Sequence, residues 1–403
     1  MTVSGGAAEA SDSLVLRLFG ERWLIDLSAY EQSAALVAQL SQLWMRVCED
    51  GTQAGAEADV VFRPSPDSGL SSSADGARTA RIPERSDGAF PYAFSRALTQ
   101  AAIAHLAGSG LLLHAAGLAS PDGRRGVVLV ASSGTGKSTA ARTLGRRFGY
   151  LSDELMRVDA EYRMQGLTKP LSIIVSGFPG GKDESSPDEV GLAPTPVHPP
   201  QLAAMVCLSR DPDATGVELQ PISVHELIAE VLPQSSSIWR AARPLHHLVE
   251  AGTRGGGPYR LRYAEIAEGE ELIAGLLAPD TTAGAAHEWI GHLPTGDERW
   301  TKDAQGASMS DAEITADAVV TRLPWTDAIE SDDEVSVLSG SNFSRLAGIA
   351  ATTWLLCAQP HTVTELVDAL VREHGPHPDS GDLVRRALEE LVGRGLVRVG
   401  IVT

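Results

Sequence analysis

The sequence predicts an α/β protein, in which a mixed sheet flanked by helices forms the core and smaller domains lie at both ends of the chain. Residues 126–130 are an apolar run of strand-forming residues that leads directly into a glycine-rich loop, and residues 139–144 continue as a helix-forming segment. Strand-like and helix-like segments alternate on both sides of this unit. Such alternation is typical of a sheet covered by helices.

The composition indicates several domains and no general affinity for polyanions. At 403 residues and 43% hydrophobic, the chain is too long for one compact unit and has ample material for buried cores. Its 33 Lys and Arg against 52 Asp and Glu give a formal net charge of −19. This charge disfavours duplex nucleic acid and anionic membranes as partners.

Cysteine usage and hydropathy predict a cytoplasmic protein. Cys48, Cys207 and Cys357 are far apart and show no CxxC spacing, so neither a zinc site nor a disulfide framework is indicated. The sequence has no apolar run of about 18 residues and no charged amino-terminal region followed by an apolar stretch. We therefore expect neither secretion nor a membrane-spanning segment.

Residues 1–94 predict an amino-terminal α+β extension. The segment 14–27 alternates like two short strands joined by a turn at Gly20-Glu21, and the segment 34–47 has helical spacing. A further short strand is expected at 60–62.

A core domain is predicted over residues 95–280. Helical spacing over 94–107 is followed by a strand over 111–119, and the Pro-Asp-Gly turn at 121–123 then reverses the chain. His114 is therefore expected on a strand that pairs with the strand before the glycine-rich loop. Later elements are predicted as strands at 171–175 and 203–208 and as a helix at 224–231.

The glycine-rich loop has the pattern of a phosphate-binding loop. An anionic polyphosphate needs inward-pointing backbone N–H groups, one ammonium and one hydroxyl for magnesium. Gly134 and Gly136 supply the turn, Lys137 the charge and Ser138 the magnesium ligand. A Gly/Ser-rich turn that binds nothing is the alternative. The predicted nucleotide-binding residues are Ser133, Gly134, Thr135, Gly136, Lys137, Ser138 and Thr139.

One position departs from the pattern of that loop. The first residue is Ala131, where the pattern has glycine. Alanine is small enough to preserve close packing, but a positive φ at this position would be strained.

Two adjacent carboxylates follow the loop. Asp153 and Glu154 lie at the end of a short predicted strand, 150–152, with Asp153 16 positions beyond Lys137. A carboxylate at the tip of a neighbouring strand orients magnesium or accepts a proton in phosphate-loop enzymes. For Asp153, capping of the turn after its strand is the structural alternative.

The region after residue 280 predicts a linker or extended arm over 281–312. Within it, His287 and His292 resemble the HExxH pattern of zinc proteases. Their spacing of five puts them on different faces of a helix, so the zinc-protease interpretation fails.

Residues 313–403 predict a separate, winged-helix-like domain. Strands at 319–323 and 335–338 are expected to form a hairpin around Asp332-Asp333. Thr362 and Glu365 have the spacing of a capping box. The elements expected after the hairpin are helices at 346–357, 363–373 and 383–393, and a closing strand at 395–399.

Residues 95–240 resemble the HPr serine kinase/phosphorylase family and its HPr-kinase-related members. Four features carry the resemblance in order: the strand with His114, the loop 133–138, the acidic pair at 153 and 154, and Lys169-Pro170-Leu171-Ser172. The resemblance implies an HPr-kinase-like core that uses ATP, with GTP as the alternative donor, and Mg²⁺.

The resemblance also implies roles for individual residues. Lys137 would bind the β- and γ-phosphates, and Ser138 would ligate magnesium. Asp153 falls on the catalytic base of the family, and Glu154 falls on a second aspartate that contacts the metal. His114 falls on a histidine near the reacting phosphates, with a buried strand histidine as the structural alternative.

Lys169 belongs to the last of the four features. A solvated lysine is the more common role for such a residue, and we expect that role here.

The carboxy-terminal domain resembles the PqqD-like peptide-binding fold, a recognition element of ribosomally made, modified peptides. The residues that carry the resemblance are the predicted hairpin and the segments 346–354, 362–367 and 391–397. Members of that family add a leader peptide as a strand to the hairpin edge. A DNA-binding winged helix is the alternative. Its third helix would be poorly charged, with Arg385, Arg386 and Arg394 against Asp382, Glu389 and Glu390.

Together the two resemblances imply a kinase that phosphorylates a Ser or Thr hydroxyl of a precursor peptide recruited through residues 313–403. Other pathway enzymes and a second copy of the chain are further partners that the resemblance allows. Two alternatives stay open. Phosphorylation can be a transient activation step, or the chain can be a nucleotide-binding scaffold that presents the peptide, an alternative favoured by Ala131 and Glu154.

Overall fold

The chain divides into two units. The computed structural model describes residues 12–49, 57–67, 76–83, 89–132, 134–174, 182–279, 288–301 and 313–400. The first unit takes the described residues of Met1–Pro221, Gln234–Ser236 and Tyr259–Thr282. The second unit takes those of Ile222–Pro233, Ser237–Pro258 and Ala283–Thr403.

The first unit opens with a four-stranded sheet. The strand order is β1-β2-β3-β4, with β1 and β2 antiparallel and the other two pairs parallel. Phe19 and Gly20 form the β1–β2 turn with positive φ, close to the turn expected from the sequence. The elements are β1 (Ser13–Leu18), β2 (Glu21–Asp26), α1 (Ser33–Leu43), β3 (Val60–Ser65), β4 (Arg78–Arg81) and α2 (Phe90–Leu106).

The core of this sheet continues into the rest of the unit. Phe94 and Leu98 of α2 and Leu112 are fully buried in the same cluster as Trp23 and Phe62. The Trp44 indole also packs edge-on against the Phe94 ring. This shared core joins the predicted extension, residues 1–94, and the predicted core domain within one unit, since α2 contributes to both.

The following elements run from the middle of the chain to the end of the first unit, except that α4 and α5 belong to the second unit. They are β5 (Leu111–Leu113), β6 (Ala115–Ala119), β7 (Arg125–Val130), α3 (Lys137–Leu144), β8 (Gly149–Ser152), β9 (Met156–Val158), β10 (Met164–Gly166), β11 (Leu171–Ile174), β12 (Lys182–Ser185), β13 (Gln201–Arg210), β14 (Glu218–Pro221), α4 (Val224–Val231), α5 (Pro244–Gly252), β15 (Tyr259–Tyr263) and α6 (Glu270–Leu277).

A six-stranded mixed sheet dominates the first unit. Its order is β14-β15-β13-β7-β6-β8. Strands β7, β13 and β15 are mutually parallel, so their carboxyl ends meet at one edge, whereas β6 is antiparallel to β7 and β8. Residues of α3 and α6 pack into the same buried cluster as this sheet. The predicted mixed α/β fold is therefore present.

The predicted strand over 111–119 is interrupted at His114. Its first part, β5, pairs with β9, and its second part, β6, pairs with β7. The His114 N–H donates to the Gln234 carbonyl at 2.6 Å. His114 therefore lies at the junction of two sheets instead of within one strand.

The remaining elements of the second unit follow α5. They are β16 (Ile290–His292), β17 (Val319–Arg322), β18 (Asp327–Ser331), β19 (Glu334–Ser339), β20 (Asn342–Ala347), α7 (Gly348–Leu356), β21 (His361–Thr362), α8 (Val363–His374), α9 (Ser380–Gly393) and β22 (Val397–Gly400). One sheet has the order β16-β18-β19-β20, and the other has the order β21-β17-β22. The winged-helix-like and PqqD-type assignment stays a prediction.

The predicted hairpin of this unit was wrong in its first strand. Asp332 and Asp333 do form the turn, both with positive φ, but they join β18 to β19. The predicted strand at 319–323 is β17, which pairs with β21 and β22. The closing strand β22 takes β17 as its antiparallel partner, and β18, which was not predicted, pairs with β19.

The predicted linker was wrong over residues 288–301. β16 lies in this segment and pairs with β18, and the Trp325 indole N–H donates to the His292 carbonyl at 3.0 Å. These backbone contacts make the segment part of a sheet. The rest of the predicted linker, including His287, lies outside the described residues.

Helices α4 and α5 belong to the second unit although the sequence placed them in the core domain. The His225 imidazole contacts Ser336 Oγ at 2.8 Å and the Ser331 carbonyl at 2.9 Å. Asp327, which is fully buried, accepts from the His246 ring at 2.6 Å and from the Leu245 N–H at 2.7 Å. Buried polar groups require such partners, so these bonds tie both helices to β18 and β19.

The capping box expected at α8 is confirmed, since Thr362 and Glu365 exchange both hydrogen bonds. Within the described ranges, no helix has the length and apolar character needed to cross a membrane.

Candidate functional site

The glycine-rich loop connects the carboxyl end of β7 to the first turn of α3. Gly134 and Gly136 have φ of +82° and +94°. Among the described residues, a Cβ at Gly134 would meet no atom within 4 Å, and one at Gly136 would meet only the Tyr263 hydroxyl at 3.6 Å. The left-handed backbone, more than crowding, therefore requires glycine at both positions. Ser133 lies outside the described residues.

The departure from the loop pattern at Ala131 causes no backbone strain. Non-glycine residues with positive φ do occur among the described residues, but Ala131 is not one of them. Its methyl group is buried in the cluster that includes Ala140 and Ala141 of α3. A small residue thus fits the loop where the pattern has glycine.

Lys137 begins α3 and is largely buried. Its ammonium donates to the His114 carbonyl at 2.8 Å. Burial lowers the pKa of Lys137 to about 8, against the opposing attraction of Asp153 and Glu154. Lys137 lines the same cleft as Ser138 and Thr139 in the first turn of α3, where N–H groups and the helix dipole favour an anion.

His114 exposes its side chain at the junction of β5 and β6. The surrounding protein lowers the pKa of its imidazole, and the nearby Lys137 charge lowers it further. These shifts favour the neutral form of the ring. The alternative of a buried strand histidine is wrong for this residue.

Asp153 and Glu154 follow β8, as the sequence predicts. The Ser152 hydroxyl accepts from the N–H groups of Glu154 at 3.1 Å and of Leu155 at 3.2 Å, so Ser152 caps this turn. Asp153 is 6% exposed, and its carboxylate accepts from the Tyr150 hydroxyl at 3.1 Å. The side chain of Ser152, and not that of Asp153, therefore caps the turn, and Asp153 contacts Tyr150 instead.

Lys169 is buried between the acidic residues, so the expectation of a solvated lysine was wrong. Only 3% of the residue is exposed. Its ammonium lies 3.1 Å from Glu154 Oε2 and 3.8 Å from Asp153 Oδ1. Burial alone would lower the pKa of Lys169, but the carboxylates of Asp153, Glu154 and Glu184 raise it above its ordinary value. Lys169 is therefore a charged partner of the acidic pair.

Glu184 of β12 is a buried carboxyl group that sequence reasoning missed. Its two oxygens accept from the Ser95 hydroxyl at 2.9 Å and the Ser172 hydroxyl at 2.5 Å. Burial raises the pKa of Glu184, and the nearby Lys169 opposes that shift. No local pattern in the sequence connects α2 with β12, because the contact is created by folding.

These side chains surround a cleft of about 540 Å³. Its lining residues are Tyr92, Ser95, Arg96, His114, Ser132, Gly134, Gly136, Lys137, Ser138, Thr139, Asp153, Glu154, Lys169 and Ser172. Most residues predicted for the site thus lie around one cleft. Thr135 does not line it, and its hydroxyl instead donates to the Ser132 carbonyl at 2.6 Å. The α2 residues were not predicted.

The cleft residues fit a magnesium ion that is held mainly by phosphate oxygens. In the described part of the chain, no group of three or more His, Cys, Asp or Glu side chains could hold a metal. Ser138 and Glu154, predicted as metal ligands, both line the cleft. Magnesium at nucleotide sites usually takes few protein ligands and completes its shell with phosphate and water.

No protein-family model matches the chain, and the comparison with curated proteins finds no match. Among the solved structures that resemble it is the Hpr(Ser) kinase/phosphatase from Coxiella burnetii, at 18% sequence identity and a TM-score of 0.19. That match covers 28% of this chain and 72% of the other chain. This similarity is too weak to assign the chain to a family.

Proposed function

We propose that the protein is a kinase that transfers a phosphoryl group from ATP, or alternatively GTP, to a Ser or Thr hydroxyl of a ribosomally made precursor peptide. The observation that carries the proposal is one cleft lined by both a phosphate-binding loop and a carboxylate at the end of a neighbouring strand. A phosphate loop alone binds nucleotide. The added carboxylate supplies an acceptor for the proton of an attacking hydroxyl.

In the proposed reaction, Lys137 and the N–H groups at the start of α3 hold the β- and γ-phosphates. Magnesium, when bound, neutralises charge on the phosphate oxygens, and Ser138 and Glu154 would hold it. Asp153 accepts the hydroxyl proton while the acceptor oxygen bonds to the γ-phosphorus and the bond to the β-phosphate oxygen breaks. The nucleoside diphosphate leaves, and the phosphate ester stays on the peptide.

The surroundings of Asp153 support its role as the proton acceptor. The Tyr150 hydroxyl donates to Oδ1, and the Lys169 ammonium lies 3.8 Å from the same oxygen. Both contacts hold the carboxylate in one orientation. A carboxylate fixed in this way is positioned before the acceptor arrives, which favours phosphoryl transfer.

The carboxy-terminal segment supports a peptide as the acceptor. β20 is at the end of its four-stranded sheet and leads directly into α7. An edge strand offers unpaired backbone groups that an extended peptide can pair with. We propose that the precursor leader pairs with this edge, which raises the effective concentration of the attached acceptor segment at the cleft.

The test is phosphorylation of a short peptide encoded beside this gene. The peptide is incubated with the full chain, ATP and magnesium and then weighed by mass spectrometry. We expect a gain of one phosphate mass, which Asp153→Asn abolishes while nucleotide binding persists. Asp213→Asn is the matched control, because Asp213 is exposed and does not line the cleft.

Two results contradict the kinase proposal. One is that the peptide gains no phosphate mass on any residue. The other is that Asp153→Asn transfers phosphate as well as the Asp213→Asn control does. If Asp153→Asn also leaves pathway output unchanged while nucleotide still binds, the nucleotide-binding scaffold is the correct alternative.

A further inference from the structure

One wall of the cleft, formed by α2, carries a cation that the proposed reaction does not use. Tyr92, Ser95 and Arg96 all line the cleft, and their spacing places them on one face of the helix. The Arg96 guanidinium lies over the Tyr92 ring, 5.9 Å from its centroid. The residue is otherwise exposed.

The other cations of the cleft are already engaged. Lys137 donates to the His114 carbonyl, and Lys169 is buried against Asp153 and Glu154. Arg96, by contrast, has no carboxylate partner in the described ranges. An arginine without an acidic partner beside a phosphate-binding loop is suited to bind a phosphate group.

The helix that carries Arg96 is firmly anchored. Phe94 and Leu98 are fully buried on its apolar face. Ser95, next to Arg96, donates to the buried Glu184, which also accepts from Ser172. The base of the arginine side chain is therefore fixed, and only its long stem has to move to reach a ligand.

We propose that Arg96 is a phosphoryl-binding residue whose guanidinium contacts the oxygens of the phosphoryl group in transfer. This inference rests on the proposed kinase function. The transferring group spreads negative charge over its equatorial oxygens, and a planar guanidinium with two parallel N–H donors matches that arrangement. Arg96 would thus bind the transition state more tightly than the product nucleotide.

The test compares two complexes of the full chain, MgADP and MgADP with aluminium fluoride, which mimics a planar phosphoryl group. We expect Arg96→Ala to weaken binding of the fluoride complex by about tenfold or more, the loss of one charge-assisted pair. Its affinity for MgADP alone should stay within about twofold. Arg96→Lys keeps the charge but loses the fork of donors, so an intermediate loss is expected.

Arg146→Ala is the matched control, because Arg146 is exposed and does not line the cleft. This control should bind both complexes as the wild-type chain does. Since Arg96 is exposed, Arg96→Ala should unfold at the same urea concentration as the wild type. If Arg96→Ala unfolds at a lower urea concentration, the affinities of Arg96→Lys for the two complexes provide the independent measurement.

Three results overturn the assignment of Arg96. The first is that the fluoride complex binds equally well to Arg96→Ala and to wild type. The second is that Arg96→Ala lowers the affinity for MgADP as much as the affinity for the fluoride complex. The third is that wild type binds MgADP but does not bind the fluoride complex. In each of these cases the wild-type chain still binds MgADP, so the nucleotide site proposed for it stands. A wild-type chain that binds no MgADP overturns the kinase proposal together with this one.

Discussion

At the scale of single residues, two kinds of buried polar group lie in or near the cleft. Asp153 forms an ion pair with Lys169, and Glu184 accepts from the hydroxyls of Ser95 and Ser172. The buried Tyr263 hydroxyl, close to Gly136, has no hydrogen-bond partner among the described residues. Removing a hydroxyl should therefore have opposite effects on stability at different tyrosines.

We expect Tyr150→Phe to destabilise the protein and Tyr263→Phe to leave it unchanged or stabilise it. The Tyr150 hydroxyl donates to Asp153, so its loss should lower the free energy of unfolding by about 1–2 kcal/mol. Tyr263→Phe removes a buried hydroxyl without a partner, which should raise that free energy by up to about 1 kcal/mol. Urea unfolding of both variants measures the difference, and an equal loss in both would contradict it.

The thiol of Cys357 gives a prediction on pH. The residue is 2% exposed, and burial raises its pKa from 9.0 to about 12, against the opposing charge of Arg322. A raised pKa means that the stabilisation is complete below pH 9.0 and is lost as the pH rises towards 12. Between these two pH values the thiol is ionised in the unfolded chain but still protonated in the folded chain, and this difference favours unfolding.

We therefore expect the wild-type chain to lose stability relative to Cys357→Ala above pH 9.0. The loss in unfolding free energy should be about 1 kcal/mol on going to about pH 10. Urea unfolding of both chains at several pH values measures it. The cavity left by the alanine is the same at every pH, so a constant difference between the two chains would contradict the prediction.

At the scale of elements, the structure agrees best with the sequence where a segment is defined by its own local chemistry. The strand–loop–helix unit around Lys137 and the capping box at Thr362 and Glu365 are both present. Helix α4 has the bounds that its spacing predicts. The pairing of strands was less predictable, because the predicted partner of β19, residues 319–323, pairs instead with β21 and β22, which are distant in the chain.

The glycine-rich loop supplies a prediction at this scale. Gly136→Ala should lower the free energy of unfolding by about 1–2 kcal/mol, because φ there is +94°. The matched control is Gly275→Ala within α6, where a Cβ would meet no atom of the described segments within 4 Å. That control should raise stability by about 0.5–1 kcal/mol, since alanine favours helix over glycine. Thermal or urea unfolding compares the two, and a neutral Gly136→Ala would be inconsistent with the loop geometry.

At the scale of the whole molecule, the two units do not follow the predicted domain boundary at residue 280. Helices α4 and α5 precede that boundary but group with the carboxy-terminal residues. A chain that ends at residue 280 would lack Ser336 and Asp327, the partners of His225 and His246. Both helices would then expose buried polar and apolar groups.

We therefore expect residues 1–280 alone to aggregate or to unfold without cooperativity, whereas the full chain unfolds cooperatively. Size-exclusion chromatography and urea unfolding followed by circular dichroism measure this. A fragment that stays monomeric and unfolds cooperatively would contradict the prediction.

The same grouping can be tested in the full chain. Asp327→Ala should lower the free energy of unfolding by about 3–5 kcal/mol, because it leaves His246 and the start of α5 without a buried partner. Asp317→Ala, at an exposed position, should change it by less than about 0.5 kcal/mol. Urea unfolding of the two variants compares them, and similar values would contradict the role of Asp327.

Local patterns were sufficient to predict the strand, glycine-rich loop and helix around Lys137, the position of Asp153 after β8, and most helices. Each depends on residues close together in the chain, where spacing and backbone preference act directly. Folding alone brought Arg96 to the cleft, buried Lys169 between the carboxylates and joined Ser95 to Glu184, 89 positions away. Contacts between distant segments depend on how whole helices and strands pack against one another, and the local periodicity of the sequence does not determine that packing.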